Sequence, residues 1–277
     1  MFAFVNGAVV TEAGAGIHVF DHGITVGDGV FETIALRQGM VMALSRHLAR
    51  LARSAASIGL PAPDLDHLRR AVETTIAANV AVRWGAVRLT YTSGLGTVGS
   101  GRGGVGPTTI VAVRELAPLD PFADVIVVPW PRNERGALAG VKTTSYAENV
   151  VALAEARRHG ATEAIFANTV GDLCEGSGTN VFLVVAGRLV TPPLSAGCLA
   201  GITRGLLIDR CGLDVEERNV PVADLAGADE AFLTSAIRDV QPIHAVDGQP
   251  LPDCPGPLTK AAAGAYASLL AADPDPR

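Results

Sequence analysis

The chain has 277 residues, 48% of them hydrophobic and 18% charged, with a formal net charge of −6 and a pI near 5.5. That apolar content supports a packed core and excludes a disordered chain, while a net negative chain has no basic field for displacing counterions from a nucleic-acid backbone. The length allows one large or two small domains, and a small-molecule ligand is the expected partner.

In chain order, Met1 to about Val10 alternates around Asn6-Gly7 and reads as a hairpin. Ile17–Phe20 and Val30–Leu36 read as further strands, separated by the glycine-rich stretch 23–29. Leu48, Leu51, Ala52, Ala55 and Ile58 recur at helical spacing and stop at Gly59, with Pro61 beyond; a second helical pattern covers 65–78. Strands are expected at 86–92 and 109–113, joined by the glycine-rich segment 94–104, which is too permissive for regular structure. Two prolines bracket Glu115-Leu116-Ala117-Pro118-Leu119-Asp120-Pro121, the best linker in the chain. The expected organisation is therefore a small α/β domain over 1–115, a linker over 116–121 and a larger α/β domain over 122–277.

In the second half, a strand is expected at 125–128 and a helix at about 146–159 that opens on a Ser145-x-x-Glu148 capping box. Strands follow at 163–166, 180–185 and 189–191, with helices near 202–210 and 260–271. Mixed elements in both halves give an α+β fold. No apolar run approaches the roughly 20 residues of a membrane span. Cys174, Cys198, Cys211 and Cys254 lack C-x-x-C spacing, so reduced thiols and a cytoplasmic location are expected.

The order of motifs is more specific than any single residue. Val141-Lys142-Thr143-Thr144-Ser145-Tyr146 precedes Glu155-Ala156-Arg157-Arg158-His159-Gly160, then Cys174-Glu175-Gly176-Ser177-Gly178-Thr179-Asn180, then Leu199-Ala200-Gly201-Ile202-Thr203-Arg204. Upstream stand Gly27-Asp28-Gly29-Val30-Phe31-Glu32-Thr33 and His47-Leu48-Ala49-Arg50-Leu51. Over about residues 5 to 265 this order resembles the class IV aminotransferases, the fold-type IV pyridoxal-phosphate enzymes. The resemblance implies a two-domain fold like that of D-amino-acid aminotransferase, with pyridoxal 5'-phosphate between unequal domains. It also implies a homodimer in which active sites borrow residues from the partner.

Residue by residue, the resemblance places the cofactor's Schiff base on Lys142, whose amine would also move the substrate proton. Glu175 matches the carboxylate beside the pyridine nitrogen, which keeps the ring an electron sink. Gly201 opens a helix whose Ile202 and Thr203 amides and Thr203 hydroxyl would hold the phosphate, with Leu199 against the ring. Arg50, three residues after His47 on one helix face, matches the phosphate arginine, while Arg46 and Arg53 read as solvated charges. Ser235 would add a hydroxyl or amide; Ala236 stands where relatives carry threonine and can offer only backbone. Phe31 and Tyr146 match positions that line the substrate pocket.

The Arg-x-His carboxylate trap of D-amino-acid transaminases is missing, because Arg102 is followed by Gly103 and Gly104. Arg102 and Arg238 are the candidate carboxylate clamps. The expected activity is amino transfer from an amino acid or (R)-amine to a 2-oxo acid. The alternative is 4-amino-4-deoxychorismate lyase, which uses the same lysine to release pyruvate and 4-aminobenzoate. A phosphate-cradling role for Gly99–Gly104 is disfavoured, since no helix pattern begins there. No metal site is expected.

Overall fold

A computed structural model describes residues 1–277. The chain divides into two compact units, the first comprising 1–118, 141–146 and 273–277, the second 119–140 and 147–272. The first crossing lies inside the expected linker. The short returns at 141–146 and 273–277 depart from the expected 1–115 and 122–277 division, and each has a hydrogen-bonding reason. The first return runs beside a strand edge: Lys142 O accepts from Phe31 N, and Thr144 N donates to Gly29 O. In the tail, Pro274 O accepts from Ala43 N and the Asp275 carboxylate takes both the amide and the hydroxyl of Ser45, at 2.7 and 2.6 Å.

The first unit holds a fully antiparallel six-stranded sheet in the order β2-β1-β6-β5-β3-β4. Its strands are β1 (Phe2–Val5), β2 (Ala8–Thr11), β3 (Gly29–Arg37), β4 (Met40–Val41), β5 (Trp84–Thr92) and β6 (Thr108–Glu115). Helices α2 (Leu44–Ser57) and α3 (Leu65–Ala78) pack on it, and a single turn, α1 (His22–Thr25), precedes β3. Side chains alternate across a strand, so Val30, Ile34 and Leu36 of β3 enter the core with Leu48, Leu51 and Leu68, while Phe31 and Thr33 take the opposite face. The expected strand at 17–20 is absent; Asp21 instead caps α1 by accepting from Gly23 N at 2.8 Å. Helix α2 begins four residues before its first periodic leucine because Asp275, 230 residues away, satisfies the Ser45 amide.

The second unit carries a mixed nine-stranded sheet in the order β12-β11-β10-β13-β14-β7-β8-β9, with β15 paired to β14. Its elements are β7 (Ala123–Val127), α4 (Ala147–Arg158), β8 (Glu163–Ala167), β9 (Leu173–Gly176), β10 (Asn180–Val185), β11 (Arg188–Thr191), α5 (Ile202–Arg210), β12 (Val215–Glu217), β13 (Glu230–Ser235), β14 (Asp239–Val246), β15 (Gln249–Pro250) and α6 (Pro257–Ala272). Phe182 and Phe232 face each other across β10 and β13 and stack at 4.9 Å in the core. The expected capping box is not formed as drawn: Ser145 Oγ donates to Gly27 O, and Glu148 pairs with Arg132 at 3.0 Å. No helix is long and apolar enough to cross a membrane.

Candidate functional site

In the first unit the site grows from β3 parity. Phe31 and Thr33 share a face, and Arg88 of β5 stands directly opposite Thr33 in the antiparallel register, so all three project to the same side. The Arg88 guanidinium lies 3.2 Å from the Phe31 ring centre. Tyr146 meets Phe31 edge-on at 5.1 Å. Lys142 Nζ sits 4.5 Å from the Phe31 centroid and 5.5 Å from that of Tyr146. Three residues singled out in the sequence, Lys142, Phe31 and Tyr146, are thus brought together. Arg88 was not singled out. It retains exposed surface, yet surrounding protein removes enough solvation to push it down to about 10.

Glu32 points to the other face, into α2. Arg50 Nε and Nη2 donate to its two oxygens at 2.8 and 2.6 Å, and His47 Nδ1 lies 2.7 Å from Oε2. Positions 47 and 50 fall on one helical face, and all three side chains are buried. Burial alone would raise the Glu32 carboxyl, but Arg50 and then His47 outweigh it and hold it at about 2. Burial lowers His47, with Glu32 opposing. A charged residue at a core parity position, between Val30 and Ile34, was the sequence signal for this cluster.

Arg102 is held by four hydrogen bonds. Its Nε and Nη2 donate to both Asp28 oxygens at 2.7 and 2.6 Å, and its Nη1 and Nη2 to the Gly59 and Ile58 carbonyls at 2.6 and 2.7 Å, beyond the end of α2. The hydrogen bond from Arg102 is the main cause of the lowered Asp28 carboxyl. Buried His22 binds Thr97 O at 3.0 Å and packs so tightly on Gly96 that a β-carbon there would collide with its ring. The glycine-rich segment is therefore pinned at both of these points.

In the second unit, Glu175 of β9 accepts from Leu199 N at 2.8 Å, and Arg132 Nε lies 3.4 Å from its other oxygen. Arg132, also missed in the sequence, stacks on Phe166 at 4.2 Å. Asn180 Nδ2 donates to Leu199 O at 2.8 Å, and a β-carbon on Gly201 would strike Asn180 Oδ1. Glycine is thus required where Gly201 caps α5. That cap carries no side-chain hydrogen bond, so the first amides of α5 meet no capping side chain at the positive end of the helix dipole, a mouth whose chemistry suits an anion. Thr203 Oγ1 lies 3.2 Å from Tyr266 of α6.

Thr234 stands opposite Asn180 in the β10–β13 register, which brings Ser235 and Ala236 to the same end of the sheet as Gly201. Ser235 Oγ accepts from Arg238 N at 3.0 Å. Arg238 itself turns away from that end. It bonds Gln241, donates to Thr162 O at 3.0 Å and lies 3.4 Å from buried Glu163, so its guanidinium braces β14 against the start of β8. Cys174 and Cys198 flank the Glu175–Leu199 contact; burial pushes both thiols up, Cys198 to about 12, so both are neutral at pH 7.

The amino-transferase class IV family model matches residues 29–246. The chain is similar to a putative branched-chain-amino-acid aminotransferase of Methanocaldococcus jannaschii, 34% identical over 260 residues, covering 90% of this chain and 89% of that one. It is also similar to the bifunctional aminodeoxychorismate lyase / D-amino acid transaminase of Mycobacterium tuberculosis, 32% identical over 284 residues, covering 92% and 94%. Among solved structures, a hypothetical aminotransferase from Mycobacterium tuberculosis in its PLP-bound form superposes with a TM-score of 0.88 at 31% identity, covering 99% of this chain and 100% of that one.

Proposed function

The chain belongs to the class IV aminotransferases, a family of pyridoxal-phosphate enzymes, and from that premise we propose that it moves an amino group from an amino acid or (R)-amine to a 2-oxo acid, with Lys142 as the attachment point for the cofactor. The observation that carries this reading is Lys142 itself. Of 22 cationic side chains only two are lysines, Lys142 and Lys260, and Lys142 is half-buried against Phe31 and Tyr146. An arginine cannot give up its proton to become a nucleophile, and a lysine can.

The residues present fit the cofactor. Gly201 admits Asn180 Oδ1 where a β-carbon would stand and puts no capping side chain over the α5 amides, which leaves them to a phosphate, with Arg50 proposed as a further phosphate contact. Glu175, beside Arg132, has the chemistry to keep a proton on a pyridine nitrogen. Bound pyridoxal phosphate would supply an electron sink for the bond broken at the amino carbon. In this chain Lys142 Nζ would carry the proton to and from that carbon, and Leu199 would pack on the ring. Arg88, backed by Phe31 and Tyr146, replaces Arg102 and Arg238 as the proposed seat for the donor's carboxylate.

The proposal includes a second copy of the chain. Val19, Phe20, Ile24 and Val26 expose apolar surface over one short stretch, of the kind that oligomers cover, and sedimentation velocity tests it. The lyase reading retains one support, the 32% identity to a bifunctional lyase and transaminase. Mixing cofactor-loaded enzyme with single donors (L- and D-alanine, L-leucine, L- and D-glutamate, an (R)-arylamine) in the absence of acceptor separates the two. A change in the visible band with any donor supports transamination. A silent spectrum with all of them, together with pyruvate released from aminodeoxychorismate, would establish the lyase instead.

A further inference from the structure

Helix α6 buries Thr259, Ala262 and Tyr266, a stripe at i, i+3 and i+7 that faces the sheet. Two of these are small, so Tyr266 is the one long side chain on the stripe. Its mounting is rigid: buried Glu230, at the start of β13, accepts from Leu258 N and Thr259 N at 3.0 and 2.8 Å and fixes the first turn of α6. From there the Tyr266 hydroxyl, on a side chain 4% exposed, reaches Thr203 Oγ1 at 3.2 Å.

A threonine in the first turn of a helix can spend its hydroxyl hydrogen on local backbone. Either oxygen can donate in this pair; when the phenol donates, the threonine hydrogen is left to be given elsewhere. We propose that Tyr266 is a positioning residue for the cofactor's phosphate: by donating to Thr203 Oγ1 it turns the Thr203 hydrogen outward, toward an anionic oxygen at the mouth of α5. This rests on the cofactor reading above. The chain of donors, phenol to hydroxyl to phosphate, is one in which each hydrogen bond polarises the next. Ala236 offers no hydroxyl at this end of the sheet, so the orientation of the Thr203 hydrogen carries more weight there.

The test titrates apoenzyme with pyridoxal phosphate and, separately, with pyridoxal, which lacks the phosphate, in wild type, Tyr266→Phe, Thr203→Val and the double variant. A lost hydrogen bond of about 1 kcal/mol predicts pyridoxal-phosphate affinity weakened roughly fivefold in Tyr266→Phe, with pyridoxal affinity unchanged. The double variant should bind no more weakly than Thr203→Val alone, since the phenol acts through the threonine. The 31P resonance of bound pyridoxal phosphate should move in Tyr266→Phe. Thr203→Ser, which keeps the hydroxyl, should retain the wild-type resonance. Equal pyridoxal-phosphate affinity in wild type and Tyr266→Phe, equal losses for both ligands, or additive losses in the double variant would each overturn the positioning role while leaving the cofactor reading intact. A wild-type apoenzyme that takes up no pyridoxal phosphate would overturn both.

Discussion

Glu32 and Arg50 meet in a two-pronged fork, Nε to Oε1 at 2.8 Å and Nη2 to Oε2 at 2.6 Å, with the carboxylate wholly enclosed. The pairing fixes the pose of the guanidinium on α2, and it leaves a pH signature. The Glu32 carboxyl falls from 4.5 to about 2, a depressed folded-state value. Its contribution, of order 3 kcal/mol, is therefore present above pH 4.5 and lost as pH falls toward 2. Glu32→Gln should cost about 3 kcal/mol at pH 7 and flatten this acid limb. Urea unfolding at pH 7, 4.5 and 3 reads both effects; a variant as stable as wild type at pH 7 would contradict them.

Arg88 and Arg102 separate a ligand contact from a structural pin. Arg88→Ala should raise KM for amino-acid donors by roughly 10-fold or more and leave a carboxylate-free arylamine within about twofold. Arg102→Ala should move neither KM by more than about twofold, because its donors are spent on Asp28, Ile58 and Gly59. It should instead speed proteolytic nicking within 94–106. Steady-state kinetics with both donor types and a timed limited digest check the pair.

Arg132 holds positive charge beside Glu175 and so favours the ionised carboxylate. With Arg132→Gln, the proton shared between Glu175 and a pyridine nitrogen should shift toward the carboxylate. The 15N resonance of ring-labelled pyridoxal phosphate in the loaded enzyme should then move toward that of a neutral pyridine. An unchanged resonance would remove Arg132 from the account.

Gly201→Ala places a β-carbon against Asn180 Oδ1. Pyridoxal-phosphate affinity should fall by roughly 10-fold or more, in line with 1–3 kcal/mol for overpacking, and Asn180→Gly in the same chain should restore part of it. Equilibrium titration of the apoenzyme by absorbance decides this.

Local pattern made much of the fold readable. The α3 helix spans the expected 65–78, and β10 and α5 match their expected ranges, because periodicity and flanking breakers set them. What could not be read depended on partners distant in sequence. The start of α2 depends on Asp275, and β14 was missed because Asp239, Gln241 and Pro242 spoil the strand pattern. The same holds for the site. Lys142, Phe31 and Tyr146 converge as motif order implied, whereas the acceptors of Arg102 and Arg238, up to 76 residues away, could not be read from the sequence. Arg88 and Arg132 carry no motif at all; strand register and a stack on Phe166 place them.

The central claim is that Lys142 carries the cofactor, and the scarcity of lysine makes its test direct. Apoenzyme incubated with pyridoxal phosphate, reduced with borohydride and digested should yield one pyridoxyl-bearing peptide, modified at Lys142, and Lys142→Ala should yield none. A label on Lys260, which is exposed on α6, or no label at all, would contradict the account.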